Sequence, residues 1–272
     1  MKTTSAADAA RLELQLAELR LPAMKLMWSK LASQADKEGW PAARFLAALT
    51  DLEMADRGRR RYERHLKEAN LPVGKTLNSF EFEIVPMVSK AQVMALAADD
   101  SWLEQGTNLL FFGPHGAGKT HLLVAVALAL IEKGRRVLFV RTADLVQQLQ
   151  AARRELALEN AIAKLDKYHL LVLDDVGYVS KDQAETSVLF ELIAARYERR
   201  SLGITANQAF GEWDKVFPDQ AMTLAVVDRL VHHAIIFEMN VEESYRARIA
   251  REAAKRGRGR PAKRATIKTK DE

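Results

Sequence analysis

The sequence predicts an α/β fold: a parallel sheet flanked by helices, preceded by a small all-helical domain and followed by a disordered basic tail. Short apolar runs alternate with longer helical patterns between residues 108 and 206. A glycine-rich segment, 113–120, joins the first of these runs to a helix, and two acids, Asp174-Asp175, close a later run. Ligands bind at the carboxyl ends of strands in such sheets, so both segments are expected at one site.

Composition restricts the class of protein. The chain has 272 residues, of which 48% are hydrophobic and none is cysteine. The absence of cysteine excludes disulfides and cysteine-ligated zinc and fits a reducing compartment. No apolar run is long enough to span a bilayer, and the first eight residues lack the apolar core of a secretory signal. We therefore expect a cytoplasmic protein without a membrane segment.

Positive charge is concentrated near the C-terminus. The net charge is +5, yet residues 246–270 hold eleven Lys or Arg and one acid, so the rest of the chain is acidic. A disordered tail is predicted over 251–272, because it has too little apolar surface to fold. In this tail Arg258 and Arg260 belong to the segment Arg-Gly-Arg-Pro over 258–261, which resembles an AT-hook that binds A·T-rich minor groove. The alternative is a generic basic tail that contacts phosphates.

The N-terminal domain is predicted to be helical over residues 1–74. Apolar residues recur with helical spacing from residue 8 to 37, with a break at Pro22. A second break at Gly39-Trp-Pro41 precedes a long helix. The predicted buried stripe of this helix is Phe45, Leu46, Leu49, Leu52 and Met54.

The long helix continues into a run of arginines. Three of them, at i, i+4 and i+7, fall on one side and predict a face that contacts DNA phosphates. The alternative is a solvated, charged helix end. The candidate DNA contacts are Arg57, Arg59, Arg60, Arg61 and Arg64.

The second domain is predicted over residues 75–250. Phe80 and Phe82 lie near its start and pack either beside a bound base or in the core. Apolar runs predict strands at 108–112, 136–140, 170–173 and 202–206. Helical patterns predict helices at 91–99, 121–131, 142–152, 156–165 and 184–199, with Gly134 ending the second and Thr142 capping the third.

The glycine-rich segment fits G-x-x-x-x-G-K-[ST], the P-loop. Its glycines permit the positive φ that brings backbone N–H groups to an anion, and the following helix N-terminus adds to the attraction. Lys119 is predicted to bind the β- and γ-phosphates of ATP, and Thr120 to bind Mg²⁺. A chance glycine turn is the alternative. The predicted nucleotide contacts are Gly113, Pro114, His115, Gly116, Ala117, Gly118, Lys119, Thr120 and His121.

Acids and an asparagine end two later strands. Four apolar residues followed by Asp174-Asp175 match the Walker B pattern. Asp174 is predicted to hold Mg²⁺ and Asp175 to position the attacking water. Asn207 is predicted to orient the same water or contact the γ-phosphate. The alternatives are an acid pair that opens a turn and an asparagine that forms one.

Taken together, these motifs resemble the IstB-like helper ATPases of bacterial insertion sequences, which are AAA+ proteins related to DnaC-type helicase loaders. The resemblance covers about residues 10–250. It rests on segments 113–122, 136–145, 170–178, 205–208, 227–233 (Val-Asp-Arg-Leu-Val-His-His) and 243–246.

The resemblance implies an ATP- and Mg²⁺-dependent oligomer with nucleotide at subunit interfaces. It implies that Asn207 is the sensor-1 residue, Arg229 an arginine finger and Arg246 the sensor-2 arginine. It also implies binding and bending of duplex DNA and stimulation of a partner transposase.

Other functions are also compatible with the motifs. AAA+ proteins usually have glutamate where this chain has Asp175, so hydrolysis is expected to be slow. A non-hydrolysing, ATP-switched DNA scaffold is therefore an alternative, as is a loader for a replicative helicase. A small-molecule kinase is a further possibility for any P-loop protein, but the sequence has no acceptor-site motif.

Overall fold

The computed structural model describes residues 6–178, 183–208, 210–215, 217 and 219–240. The chain divides between Lys67 and Glu68 into two compact units. Within the described residues, no helix combines the length and apolar character needed to cross a membrane.

The N-terminal unit contains helices α1 (Ala6–Glu18), α2 (Pro22–Glu38) and α3 (Ala42–Ala69), the last extending two residues past the division. The predicted breaks are confirmed. Pro22 is the first residue of α2, where its missing N–H costs nothing. Gly39 ends α2 in the left-handed conformation, with φ 65°.

The predicted buried stripe of α3 is partly wrong. Leu49 is buried, but Leu46 and Met54 are exposed by 59% and 68%. The buried position belongs to Glu53, whose Oε2 accepts hydrogen bonds from Ala23 N at 3.0 Å and Met24 N at 3.4 Å. A carboxylate at the N-terminus of α2 satisfies unpaired N–H groups and complements the helix dipole.

The second unit is built on a five-stranded parallel sheet with strand order β2-β3-β4-β1-β5. The strands are β1 (Asn108–Phe112), β2 (Val137–Arg141), β3 (Leu170–Asp174), β4 (Ser201–Ala206) and β5 (Ala234–Glu238). Four of them confirm predicted strands. The fifth was not predicted, and it pairs with β1 along its whole length.

Helices cover the sheet. They are α4 (Lys90–Ala98), α5 (Lys119–Glu132), α6 (Thr142–Arg154), α7 (Leu158–Leu165), α8 (Gln183–Arg196) and α9 (Gln220–Val231). All five residues of β1 and nine of the fourteen residues of α5 are buried, so the segment between them is held at the carboxyl edge of the sheet. The prediction that Thr142 caps α6 is wrong: Arg141 is the N-cap, and the Thr142 hydroxyl donates to Asp174 O at 2.8 Å.

Candidate nucleotide-binding site

The P-loop joins β1 to α5, as predicted. Gly113, Gly116 and Gly118 all have positive φ. At two of them glycine is required by space as well: a Cβ on Gly113 would lie 2.3 Å from Met239 O, and one on Gly118 would lie 2.7 Å from Phe80 Cε2. The loop is therefore packed between β5 and the segment that carries Phe80.

The Lys119 ammonium is buried and fully engaged. Its Nζ donates to Gly113 O at 2.7 Å, to Pro114 O at 2.9 Å and to Asn207 Oδ1 at 2.9 Å. The side chain is only 5% exposed, and a buried cation needs such acceptors to offset its desolvation. The contact with Asn207 joins the end of β4 to the P-loop.

Asp174 is the centre of a second hydrogen-bond network. Its Oδ1 accepts from the Thr120 hydroxyl at 2.8 Å and from the Thr205 hydroxyl at 2.7 Å. A carboxylate and two hydroxyls form the hard oxygen donor set that Mg²⁺ prefers. Thr120 and Asp174 could therefore hold this ion beside bound phosphates.

Asp175 has an unusual backbone conformation. Its φ is +58°, a region that few residues other than glycine adopt, although Asp tolerates it better than most. The Asp175 N–H donates to Thr205 Oγ1 at 2.9 Å, which holds the residue in this conformation. Strained backbone of this kind is common at functional sites.

A cavity of about 330 Å³ adjoins these groups. One wall is the P-loop and the opposite wall comes from residues 75–85, with Asp175 and Asn207 at the end. Phe80 lines the cavity, whereas Phe82 is buried, so core packing is confirmed for Phe82 and contact of Phe80 with a base stays a prediction. The lining residues are Lys75, Ser79, Phe80, Glu81, Ile84, Val85, His115, Gly116, Ala117, Gly118, Lys119, Thr120, His121, Asp175 and Asn207.

His121 connects the two walls. Its Nε2 lies 3.0 Å from Thr76 O and 3.2 Å from Ser79 Oγ, and its ring meets Phe80 edge-on at 5.2 Å. A helix residue directly after the P-loop therefore holds the segment that faces the nucleotide phosphates.

The structure brings Lys119, Thr120, Asp174, Asp175 and Asn207 together. Arg229 lies elsewhere: its Nη1 donates to Ala225 O within α9 and its guanidinium lies over the Phe190 ring at 5.3 Å. Three predicted residues, Arg246, Arg258 and Arg260, lie outside the described residues.

The arginines of α3 differ in their partners. Arg57 and Arg60 bind Glu53, Arg60 also binds Asp56, and Arg59 lies between Asp56 and Glu63. The hydrogen bond from Arg59 lowers the pKa of Asp56 below its ordinary value. Within the part of the chain that the structure describes, the exposed Arg61 and Arg64 form no ion pair.

Sequence reasoning missed Thr205. It is fully buried, and its hydroxyl both donates to Asp174 and accepts from Asp175 N. The sequence signal that could have identified it is its position two residues before Asn207, at the end of an apolar strand.

Replacing Thr205 with valine is expected to lower ATP turnover about 10- to 100-fold, the usual cost of losing a group that orients a metal ligand. Valine keeps the shape but leaves Asp174 less constrained and the Asp175 N–H without its acceptor. The effect of the substitution is measured as ATP turnover and as the affinity for a fluorescent ATP analogue, each with and without Mg²⁺. The expected pattern is that binding without Mg²⁺ is unchanged and that Thr205→Ser retains activity. An equal loss of affinity with and without Mg²⁺ would contradict this role.

Comparison with known proteins identifies the family. Residues 14–253 match the model of the family described as IstB-like ATP binding protein. An insertion sequence ATP-binding protein of Sinorhizobium fredii (strain NBRC 101917 / NGR234) is 70% identical over 262 residues, or 96% of this chain and 87% of the relative. The IS21 ATP-binding protein of Pseudomonas aeruginosa is 34% identical over 243 residues, or 89% and 91% of the two chains.

Solved structures support the fold. AMPPCP-bound DnaA from Aquifex aeolicus matches with a TM-score of 0.53 at 20% identity, over 69% of this chain and 56% of the DnaA chain. The DnaC helicase loader matches with a TM-score of 0.51 at 20% identity, over 62% of this chain and 98% of the loader. The sheet order and these matches establish an AAA+ P-loop fold, and with the family match they show that this chain belongs to the IstB-like ATP-binding proteins.

Proposed function

We propose that this protein is an ATP-dependent helper of transposition that assembles on duplex DNA, bends it and stimulates a partner transposase. The observation that supports this most is the meeting of Lys119, Thr120 and Asn207 in the lining of one cavity, with Thr120 bonded to Asp174. A relative that is 70% identical to this chain is an insertion sequence ATP-binding protein. The transposase is the partner that an insertion sequence supplies. The helicase-loader alternative has support from the fold alone.

The site residues have separate roles in ATP hydrolysis. Lys119 binds the β- and γ-phosphates through charge-assisted hydrogen bonds. Thr120 and Asp174 hold Mg²⁺, which neutralises charge on the phosphates. Asp175 positions the attacking water, and Asn207 aligns that water with the γ-phosphate. Because aspartate is one methylene shorter than the usual glutamate, we expect slow, DNA-stimulated turnover.

Two arginines are proposed to complete the site. Arg229 acts on the nucleotide of a neighbouring copy, which fits its position outside the cavity lining. Arg246 is the sensor-2 arginine. An arginine supplied from a neighbour would make hydrolysis depend on assembly.

Phosphate contacts with DNA are proposed for Arg61 and Arg64 of α3. Both are exposed, whereas the carboxylates of Glu53, Asp56 and Glu63 compete for the neighbouring arginines. The basic tail over 251–272 adds affinity through phosphate contacts, with Arg258 and Arg260 entering the minor groove.

With a non-hydrolysable ATP analogue, the full chain is expected to form oligomers on duplex DNA that are absent with ADP. Mass measurement and imaging of the complexes on DNA test this.

Replacing Arg61 or Arg64 with alanine should weaken binding to any sequence. Each change should also reduce the slope of log affinity against log salt by about 1 per bound subunit.

Arg59→Ala is the matched control, because it removes the same charge from the same helix but from a paired arginine. Its salt slope should equal that of the unmodified chain. Equal slopes in all four proteins would contradict the DNA face. Assembly on DNA without measurable turnover would favour the non-hydrolysing scaffold.

A further inference from the structure

We propose that Glu198, His232 and His233 form a binding site for a divalent transition metal of the Zn²⁺ class. Glu198 follows α8, and the two histidines follow α9 and precede β5. They therefore lie at the amino edge of the sheet, at the opposite end of the strands from the P-loop. The site goes beyond the proposed function, which assigns these residues no role.

The donor atoms are spaced as metal ligands require. Glu198 Oε1 lies 3.5 Å from His232 Nδ1 and 3.7 Å from His233 Nε2, and all three atoms lie within 4.8 Å of one another. Tetrahedral Zn²⁺, with ligand distances of about 2.0–2.2 Å, holds its donors about 3.4 Å apart. The two separations that involve the Glu198 carboxylate are therefore close to the tetrahedral value.

The chemistry of the set selects the class of metal. Two imidazoles and one carboxylate suit Zn²⁺, Ni²⁺ or Cu²⁺, whereas Mg²⁺ and Ca²⁺ prefer sites made of oxygen atoms. A site with three protein ligands leaves a fourth position for water or an outside ligand. The side chains are about half-exposed, so an ion can reach them from solvent.

Rigid surroundings hold Glu198. The preceding Arg196 is buried, and it donates to Leu165 O, Tyr168 O and Ser201 O. Burial lowers the pKa of Arg196 to about 10, which still leaves it charged at neutral pH. A Cβ on Gly106 would lie 3.0 Å from Glu198 C, so the turn packs directly on this glycine, and Glu198 itself has φ 56°.

Asn108 holds the histidine turn against the same edge. Its side chain donates to Leu230 O at 3.0 Å and accepts from Leu202 N at 2.9 Å, while its backbone N–H donates to His233 O at 2.7 Å. One buried residue therefore connects the end of α9 to the start of β4. A preorganised ligand set loses less conformational freedom when it binds an ion.

Tyr197 is a hydrogen-bond partner of one of the proposed metal ligands. Its hydroxyl lies 2.6 Å from His232 Nδ1. When His232 Nδ1 binds a metal, the hydroxyl can turn to Glu198, an arrangement typical of groups that orient metal ligands.

An ion here would join the α8–β4 turn to the α9–β5 turn. It would thereby fix the C-terminal end of α9, the helix that contains Arg229. Occupancy is therefore expected to stabilise the folded chain, because the ion binds the assembled turns and not the separated ones.

Calorimetric titration of the nucleotide-free, full-length chain with ZnCl₂ in excess Mg²⁺ tests the site. We expect one Zn²⁺ per chain and a higher Tm with Zn²⁺. His232→Ala and His233→Ala should each weaken Zn²⁺ binding at least about 10-fold. This is the lower end of the loss of metal affinity that follows when groups around a metal ligand are changed. Visible absorption of bound Co²⁺ should show the intense bands of a four-coordinate ion.

His115→Ala is the matched control, because it removes an exposed histidine far from the cluster and should leave Zn²⁺ affinity unchanged. Far-UV circular dichroism verifies that each variant is folded. Zn²⁺ binding of equal strength in the unmodified chain and the His232→Ala/His233→Ala double variant would overturn the assignment. So would the absence of Zn²⁺ binding to the unmodified chain.

Discussion

Replacing Lys119 with alanine is expected to lower ATP affinity at least about 100-fold and to abolish ATP-dependent assembly on duplex DNA. The ammonium is buried against the P-loop backbone. Its hydrogen bonds to the phosphate oxygens of ATP are expected to be charge-assisted. The loss of one such bond costs about 1.5–3 kcal/mol, and the upper end of this range corresponds to an about hundredfold loss of affinity. The lysine is expected to make more than one of these bonds. Titration with a fluorescent ATP analogue and mass measurement on DNA would measure both effects.

Lys133→Ala is the control for this change. Lys133 follows the same helix, α5, and its Nζ donates to Ala98 O at an exposed position. It should bind ATP and assemble like the unmodified chain. Unfolding temperatures of both variants would show that the chain remains folded. Unchanged nucleotide affinity and self-association in a folded Lys119→Ala protein would overturn the proposed function.

Replacing Arg229 with alanine is expected to reduce ATP turnover by about 10³-fold or more while ATP still binds. An arginine finger stabilises charge that develops on the phosphoryl oxygens, and its contribution to turnover is about 10³- to 10⁵-fold. Within its own chain Arg229 contacts Ala225 O and the Phe190 ring, neither of which belongs to the nucleotide site. Steady-state turnover and analogue affinity, measured on the same preparation, separate hydrolysis from binding.

A mixing experiment tests whether this arginine acts on a neighbour. The Asp175→Asn chain binds ATP and contributes an intact Arg229 but lacks the acid proposed to position the attacking water, and the Arg229→Ala chain contributes an intact P-loop and an intact Asp175. Mixed on duplex DNA, they should recover part of the turnover that each lacks. If the mixture stays inactive although both chains join one assembly, Arg229 does not act in trans. Arg229→Lys should stay slow, because lysine lacks the planar fork of guanidinium donors.

The phosphate-binding half of the site was predictable because its chemistry is local. The eight residues 113–120 and their flanking strand and helix are contiguous, and a glycine-rich turn of this spacing directs several N–H groups at one anion. The Walker B acids and Asn207 were also predictable, since parallel strands end at one edge of the sheet. The structure confirms this placement through the Lys119–Asn207 and Thr120–Asp174 contacts.

The other half of the site depends on residues far apart in the chain. Residues 75–85 form a wall because His121 bonds to Thr76 and Ser79, more than forty positions away. Phe80 and Phe82 are both phenylalanines and lie two positions apart. Only their packing shows that Phe80 lines the cavity and that Phe82 is buried. Periodicity contains no information about such partners.

The errors have the same cause. The buried position on α3 was assigned to Met54 on hydrophobicity, yet Glu53 takes it because the N-terminus of α2 supplies donors to its carboxylate. β5 was missed because four apolar residues beside a helix do not distinguish a strand from a helix end, and its pairing with β1 decides the matter.

Residue type and spacing alone therefore determine that this chain binds a triphosphate on a parallel sheet. The tertiary structure decides which threonine orients the Walker B acids and that Glu198 meets His232 and His233. The division follows from the range of the interactions. Backbone geometry and helix dipoles act within a few residues, whereas buried hydroxyls and ligand clusters need distant segments to be folded together.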